Sequence, residues 1–208
     1  MPAQSRAGSE AGGSIVDLSW LLALGAGVAI AAACGLRAFL PLLFIGLATR
    51  AGVIHLRPSA GWLATDLALL ALGIAAVLEI AGDKIPVVDH ALDAVATLLR
   101  PAAAALGAFA LLGHWPSPWA QITALVLAGL SFGVHAAKAK LRLGSTVTTM
   151  GLGNPLLSAV EDVLSFLFCW IVIVPAVALV AIALIAWLAL RRRASRPQGP
   201  AVARRPHP

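Results

Sequence analysis

Charged side chains are scarce in this sequence, and their scarcity excludes an ordinary water-soluble fold. They make up 12% of the 208 residues, whereas hydrophobic residues make up 60%. Soluble domains carry about a quarter charged residues. Apolar runs of about twenty residues recur along the chain, the length that crosses a hydrocarbon core roughly 30 Å thick. We therefore predict an all-α, polytopic transmembrane helical bundle at residues 15–193.

Cysteine is also rare, with two residues in the whole chain. Cys34 and Cys169 each lie inside an apolar run, where a free cysteine usually packs as a small hydrophobe. They are far apart in the sequence and form no C-x-x-C pair, which argues against a disulfide or a cysteine metal site. We predict no cofactor and no bound metal.

Basic residues are in excess, with a net charge of +6. Six of the fifteen Lys and Arg follow residue 190, directly after the last apolar run. This pattern indicates anchoring at an anionic cytoplasmic leaflet rather than nucleic-acid binding. We predict a bacterial inner-membrane protein with a cytoplasmic C-terminus, whose basic tail 194–208 contacts anionic lipids of the bilayer. Residues 1–14 are small and polar and predict a disordered tail. The sequence leaves oligomerisation open.

The number of crossings depends on how the long apolar runs are divided. The first run, 17–49, is too long for one perpendicular span, so it must tilt, kink at Pro41 or break near Gly35. The last run, 154–190, either turns back near Pro175 or forms one long helix. Six crossings keep most Lys and Arg on the cytoplasmic side; a turn at Pro175 lacks Gly, Asn or Asp, which favours five. We favour six, with five as the alternative.

The stretch 79–100 places charged residues between two apolar segments of the sequence. Glu79 and Asp83 are one helical turn apart, and two adjacent carboxylates suit a proton or cation site. The alternative is an interfacial acidic pair balanced by Lys84 and Arg100. Pro86 suits the first turn of a new helix, so we predict an amphipathic or re-entrant helix near 86–100, followed by a separate short apolar run at 101–112.

Three residues of that helix could bind a metal or a lipid headgroup. Asp89, His90 and Asp93 have ligand spacing, but a solvated polar helix face is the more ordinary interpretation. The chain has no His-Glu-x-x-His motif. It also lacks the Asp-Gly-x-x-Ala-Arg pattern that accompanies such aspartates in headgroup transferases. These absences count against an enzyme.

Other polar residues lie at the edges of apolar runs. Arg37 is either an internal cation or a side chain that extends to a lipid headgroup. His135, Lys138 and Arg142 share a helix face, for which we favour a cytoplasmic positive collar. A flexible, hydroxyl-rich loop is predicted at 144–153.

The last apolar run begins with a polar turn. Asn154 before Pro155 predicts a helix N-cap. Capping is also an alternative explanation for Ser158. Glu161 and Asp162 lie two turns into the helix, where neither capping nor the helix dipole explains them well. They are therefore candidates for a functional role.

Four segments of the chain are distinctive when taken together. They read Ala33-Cys-Gly-Leu-Arg37-Ala-Phe-Leu-Pro41, Glu79-x-x-x-Asp83-Lys84-Ile-Pro86-x-x-Asp89, His135-Ala-Ala-Lys138 and Asn154-Pro155-x-x-Ser158-x-x-Glu161-Asp162. The set resembles a bacterial membrane family catalogued as domain of unknown function 4126, over roughly residues 20–170. The resemblance supports the membrane prediction and the choice of residues, and it implies no activity.

These observations lead to a prediction for one polar centre. Charged groups lying separately against lipid would cost on the order of ten kcal/mol, so we expect Arg37, Glu79, Asp83, Glu161 and Asp162 to converge. One cation among four carboxylates would leave spare negative charge, so we expect this centre to keep a carboxylate protonated or to recruit a cation, with Lys84 or Lys138 as the internal candidates. We predict a transporter or channel-like protein for a small solute or ion; the alternatives are a headgroup-modifying enzyme and a non-catalytic scaffold. The candidate binding residues are Arg37, Glu79, Asp83, Lys84, Asp89, His90, Asp93, Arg100, His135, Lys138, Asn154, Ser158, Glu161 and Asp162.

Overall fold

Residues 7–83 and 86–194 are described by the computed structural model, with side chains described at 19–83, 95–174, 185, 187, 188 and 191. These ranges contain helices and no strand. The helices are α1 (Ala7–Leu36), α2 (Phe39–Arg50), a 3-10 helix (Pro58–Ala64), α3 (Asp66–Gly82), α4 (Pro86–Leu111), α5 (Ser117–Thr149) and α6 (Asn154–Ala194). The all-α prediction is confirmed. The first helix begins within the range that composition assigns to the N-terminal tail, and residues 195–208 of the basic tail lie outside the description.

Three segments are long and apolar enough to cross a membrane: Ser19–Leu36 of α1, the whole of α5 and Asn154–Val174 of α6. The 3-10 helix and α3 meet at an angle of 64° and add a fourth span if they cross together. The helix α2 and the segment Val95–Leu111 of α4 are apolar but shorter. The molecule is therefore a helical membrane bundle, as the run lengths predict.

The first apolar run breaks between α1 and α2, close to Gly35, which is one of the three alternatives that its length left open. Arg37 still donates its backbone N–H to Ala33 O at 2.9 Å. The next two backbone N–H groups, of Ala38 and Phe39, donate to the Glu79 carboxylate at 2.8 and 3.2 Å. The first N–H groups of a helix have no partners within the helix. Here the Glu79 side chain of α3 accepts their hydrogen bonds.

Two predicted interruptions are absent, and the helices run through them. The amphipathic segment and the run 101–112 form the single helix α4, with Pro101 inside it. The predicted turn at Pro175 is wrong, because α6 is continuous from Asn154 to Ala194. Proline removes one backbone hydrogen bond, and helices in membranes tolerate this loss because neighbouring helices, polar side chains or small local adjustments satisfy the freed backbone groups. The six-crossing arrangement that relied on this turn therefore does not form.

The predicted loop 144–153 is mostly helical, which corrects the sequence expectation. Hydroxyls of Thr146, Thr148 and Thr149 donate to carbonyls four residues earlier, at 2.9, 2.9 and 2.7 Å. These side-chain hydrogen bonds therefore form on a continuous helix and do not replace its backbone hydrogen bonds with a turn. The chain turns only after Thr149, where Met150 and Gly151 adopt φ values of 52° and 83°.

The bundle packs around α1, which contacts α4, α5 and α6. Small residues allow these close approaches, as is common in membrane helix pairs. Gly35 lies so close to α5 that a Cβ there would be 2.6 Å from Val134 Cβ. Trp20 stacks on Trp115 with ring centroids 4.9 Å apart. Trp20 lies near the start of the apolar part of α1, and the charged residues described below gather at its other end.

Candidate functional site

Eight charged side chains meet where α1 ends, and we call them the ionic centre. Seven of them are less than a tenth exposed, and the side chain of Asp162 is 25% exposed. They come from the α1–α2 break, α3 and the residue after it, α4, α5 and α6. The members are Arg37, Glu79, Asp83, Arg100, Lys138, Arg142, Glu161 and Asp162.

Arg37 is fully buried and bonds to two other segments of the chain. It forms a close ion pair with Asp83, and its Nε lies 2.7 Å from Asp162 Oδ1. Its NH2 donates to Ser158 Oγ at 2.9 Å. The alternative in which Arg37 extends to a lipid headgroup is therefore wrong, because its carboxylate partners lie inside the bundle.

Asp83 lies between three cations. Besides Arg37, Arg142 NH2 donates to Asp83 Oδ2 at 3.0 Å, and Lys138 Nζ lies 3.6 Å from the same oxygen. Its second oxygen, Oδ1, is buried and has no hydrogen-bond partner within the described part of the chain. Asp83 thus links the end of α3 to α5 and to the α1–α2 break.

Glu161 binds the two cations of α5. Arg142 donates to its carboxylate through Nε and NH2 at 3.2 and 2.9 Å, a two-pronged contact, and Lys138 Nζ lies 3.0 Å from Oε2. Lys138 and Arg142 are 3% and 5% exposed. The predicted cytoplasmic collar is wrong for these two residues, because α6 supplies them with a buried carboxylate.

Glu79, Arg100 and His135 form the other side of the centre. The Glu79 carboxylate accepts from the start of α2, and Arg100 NH2 lies 3.7 Å from Oε1. Arg100 also contacts His135 Nδ1 directly. The remaining ring nitrogen, Nε2, lies 3.3 Å from Thr97 Oγ1. The acidic pair Glu79 and Asp83 is therefore buried within the protein.

The predicted convergence of Arg37, Glu79, Asp83, Glu161 and Asp162 is confirmed by these contacts. The spare negative charge expected of these five residues is balanced by three further cations: Lys138, which the sequence offered as a candidate for this role, Arg100 and Arg142. Sequence reasoning placed Arg142 in an outer collar and gave no role to Thr97. The spacing of His135, Lys138 and Arg142 on one helix face was the available signal for Arg142.

The remaining candidates lie elsewhere or outside the description. Asn154 does not cap α6; its side-chain amide donates to Thr146 Oγ1 at 3.1 Å and joins α5 to α6. Lys84 and the side chains of Asp89, His90 and Asp93 lie outside the described residues. Among the described residues, no group of three His, Cys, Asp or Glu could hold a metal ion.

A cavity of about 200 Å³ borders the ionic centre between α3 and α4. Glu79, Asp83 and Arg100 are its charged lining residues, and the rest of its lining is apolar. The two helices contact each other little, which leaves this space between them. The cavity therefore joins an apolar volume to the charged groups.

This fold and site define a class: a helical membrane protein with a buried, charge-balanced ionic centre. The sequence profile of the family described as "Domain of unknown function (DUF4126)" matches residues 24–194. The chain belongs to this family. No curated protein and no solved structure matches it.

Replacing Glu79 tests its role at the α1–α2 break. We expect Glu79→Ala to lower the free energy of unfolding by about 1–3 kcal/mol, since it leaves the N–H groups of Ala38 and Phe39 buried without an acceptor. Glu79→Gln keeps one acceptor oxygen and should cost less. Chemical unfolding of the purified protein in detergent measures both variants. Equal losses would show that the carboxylate charge, and not the cap, stabilises this break.

Proposed function

We propose that this protein is transporter-like or channel-like and moves a small solute or ion across the membrane through its ionic centre. The observation that carries the proposal is the meeting of eight charged groups, seven of them buried, from five parts of a membrane bundle. Buried ion pairs rarely stabilise a protein more than well-packed apolar residues do. Ionisable groups inside membrane bundles commonly mark ion, proton or substrate pathways. Transport explains the set better than stability does.

The arrangement of the ionic centre supports this proposal. Lys138 and Arg142 each contact both Asp83 and Glu161. A cation or proton that arrives at one carboxylate can release a basic side chain to the other, at little cost in total charge pairing. Such shared partners provide a chain of alternative ion pairs between α3 and α6.

Flux in proteoliposomes tests the proposal. Purified protein is reconstituted, and proton, potassium and chloride fluxes are followed with internal fluorescent dyes. We expect flux above protein-free liposomes for at least one of these ions. We expect Glu161→Gln to reduce it about tenfold or more, because the amide cannot pair with both basic side chains.

The matched control is Asp66→Asn. Asp66 pairs with Arg50 on the surface, where its side chain is 88% exposed, so this acid-to-amide change should leave the flux unchanged. The absence of any flux above protein-free liposomes contradicts the proposal. Equal flux in the two variants would also contradict it.

The same proposal includes a location and an orientation. We place the protein in a bacterial inner membrane with its C-terminus in the cytoplasm, where the basic tail contacts anionic lipids. The density of Arg after residue 190 supports this orientation. A fluorescent protein fused after residue 208 should be fluorescent, and a phosphatase fused there should be inactive.

The enzyme and scaffold alternatives rest on other parts of the chain. The enzyme requires Asp89, His90 and Asp93, and the scaffold requires the tail after Ala194. Their side chains lie outside the described residues. No contact of a described residue favours either function.

A further inference from the structure

His135 lies on α5 at the edge of the ionic centre, where it is 5% exposed. Arg100 NH1 contacts its Nδ1, and an arginine nitrogen donates hydrogen bonds but cannot accept them. Nδ1 must therefore be the acceptor, and the ring proton lies on Nε2, which is 3.3 Å from Thr97 Oγ1. His135 is thus a neutral imidazole, and the lone pair on its Nδ1 is a group that can bind a proton.

The charged members of the ionic centre are already matched with one another. Each of its four carboxylates has a basic side chain within 3.7 Å. A metal cation needs several oxygen ligands at once, so it would have to displace these basic side chains. An anion would have to displace the carboxylates in the same way. A proton needs a single lone pair and almost no volume, so it fits this centre with the least rearrangement.

Arg100 has a second partner that it can bind when a proton reaches His135. A proton on Nδ1 turns this acceptor into a donor, so the contact with Arg100 NH1 must break. The neighbouring nitrogen, NH2, lies 3.7 Å from Glu79 Oε1, and a small movement makes this a close ion pair. The Glu79 carboxylate also accepts from the N–H groups of Ala38 and Phe39. The exchange of partners therefore reaches the α1–α2 break.

Charged groups from every element of the ionic centre act on His135. Arg100 on α4 contacts the ring, and Lys138 follows one turn later on α5. Glu79 on α3 and Asp83 directly after it contact these two cations in turn. The other members are Arg37 at the end of α1, Arg142 on α5, and Glu161 and Asp162 on α6. A proton on His135 is thus repelled by two neighbouring cations and attracted by the carboxylates beyond them, which suits a site that binds a proton and releases it again.

We propose that the ion moved by this protein is the proton and that His135 carries it at Nδ1. In this step a hydronium ion gives a proton to the lone pair of Nδ1, one N–H bond forms and water is released. The same bond breaks when the proton leaves to water. Arg100 keeps all its protons and changes only its acceptor, from His135 to Glu79 and back. This inference rests on the proposed function and names the ion that the ionic centre moves.

Proton flux in proteoliposomes tests the role of His135 with a matched pair of variants. We expect the unmodified protein to conduct protons and not potassium or chloride. His135→Asn keeps an acceptor oxygen for Arg100 but cannot take up a proton, so proton flux should fall about tenfold or more. His55 is exposed in the loop before the 3-10 helix, so His55→Asn should leave the flux unchanged. Equal proton flux in the two variants would overturn the inference.

Nitrogen NMR of the histidine-labelled full chain in lipid nanodiscs tests the site without transport. The signals of His135 are assigned by their loss in His135→Asn or, if that variant does not fold, in His135→Gln. At alkaline pH we expect a neutral ring with its proton on Nε2. As the pH is lowered, we expect Nδ1 to gain a proton. A neutral ring with its proton on Nδ1, or a ring that stays neutral at every pH at which the protein is folded, would overturn the inference.

Glu79→Gln tests the exchange of partners by Arg100. The amide keeps an acceptor at the α1–α2 break but has no charge to hold Arg100 when His135 is protonated. We therefore expect a lower proton flux, with the same neutral form of His135 at alkaline pH. Unchanged proton flux in this variant would contradict the exchange.

The outcomes also separate the inference from transport. Proton binding at His135 Nδ1 without flux of any ion contradicts transport and supports His135 as the proton site. Flux of potassium or chloride without proton flux supports transport and overturns the inference.

Discussion

Arg37→Ala is expected to lower the free energy of unfolding by about 3–5 kcal/mol, the cost of breaking a buried charge pair by removing one partner. Arg37 is fully buried and contacts Asp83, Asp162 and Ser158. Its removal leaves carboxylates in excess and an unfilled volume at the α1–α2 break. Thermal and chemical unfolding in detergent micelles measure the loss. Very low yields of folded protein would be consistent with the upper part of this range.

The matched control for Arg37 lies at the other end of α2. Arg50 pairs with Asp66, but the two side chains are 51% and 88% exposed, and exposed pairs contribute about 0–1 kcal/mol. Arg50→Ala should therefore change stability little. Arg37→Lys keeps the charge but loses the planar fork of donors, so its loss should be intermediate. Similar stability of the Arg37 and Arg50 alanine variants would contradict the proposed role of the ionic centre in the fold.

Gly35→Ala is expected to destabilise the bundle by about 1–3 kcal/mol, the usual range for overpacking. A Cβ at Gly35 would lie 2.6 Å from Val134 Cβ and 2.7 Å from the backbone oxygen of Ser131. A backbone oxygen cannot move alone, so α1 and α5 must separate. This separation also lengthens the contacts at Asp83, the carboxylate that Arg37 shares with Lys138 and Arg142, so ion flux should fall together with stability.

Gly25→Ala is the control on the same helix. No atom lies within 4 Å of a Cβ built at Gly25, and alanine is favoured over glycine in a helix by up to about 1 kcal/mol. We expect unchanged or slightly increased stability for this variant. The same unfolding measurement applies to both. Equal effects at the two positions would show that the close contact at Gly35 is not important for packing.

The losses of stability expected for Arg37→Ala and Gly35→Ala have one origin, which is the meeting of α1 and α5 at the ionic centre. Gly35 allows the helices to approach, and two residues later Arg37 begins the network that Lys138 and Arg142 continue. The approach and the ion pairs depend on each other, because ion pairs in a low dielectric require short distances. A double variant of Gly35 and Arg37 should therefore cost less than the sum of the single changes.

The sequence alone determined the membrane class, the helical architecture and most members of the ionic centre. Run length and hydrophobicity are local properties of the sequence. An apolar segment that crosses a bilayer forms a helix because its backbone groups must form hydrogen bonds with one another. The high cost of a lone charge in lipid also predicts that Arg37, Glu79 and Asp83 need partners, whatever the fold is.

Only the tertiary structure decided which partners these are. Lys138 and Arg142 carry the pattern of a cytoplasmic collar, and they are buried because α6 brings Glu161 beside them. The helices likewise continue through Pro101, Thr146 and Pro175. Proline and threonine weaken a helix locally without ending it, and packing against neighbouring helices decides whether it continues. Local sequence determines how strongly each segment favours a helix. The pairing of distant charges depends on contacts that only the folded bundle makes.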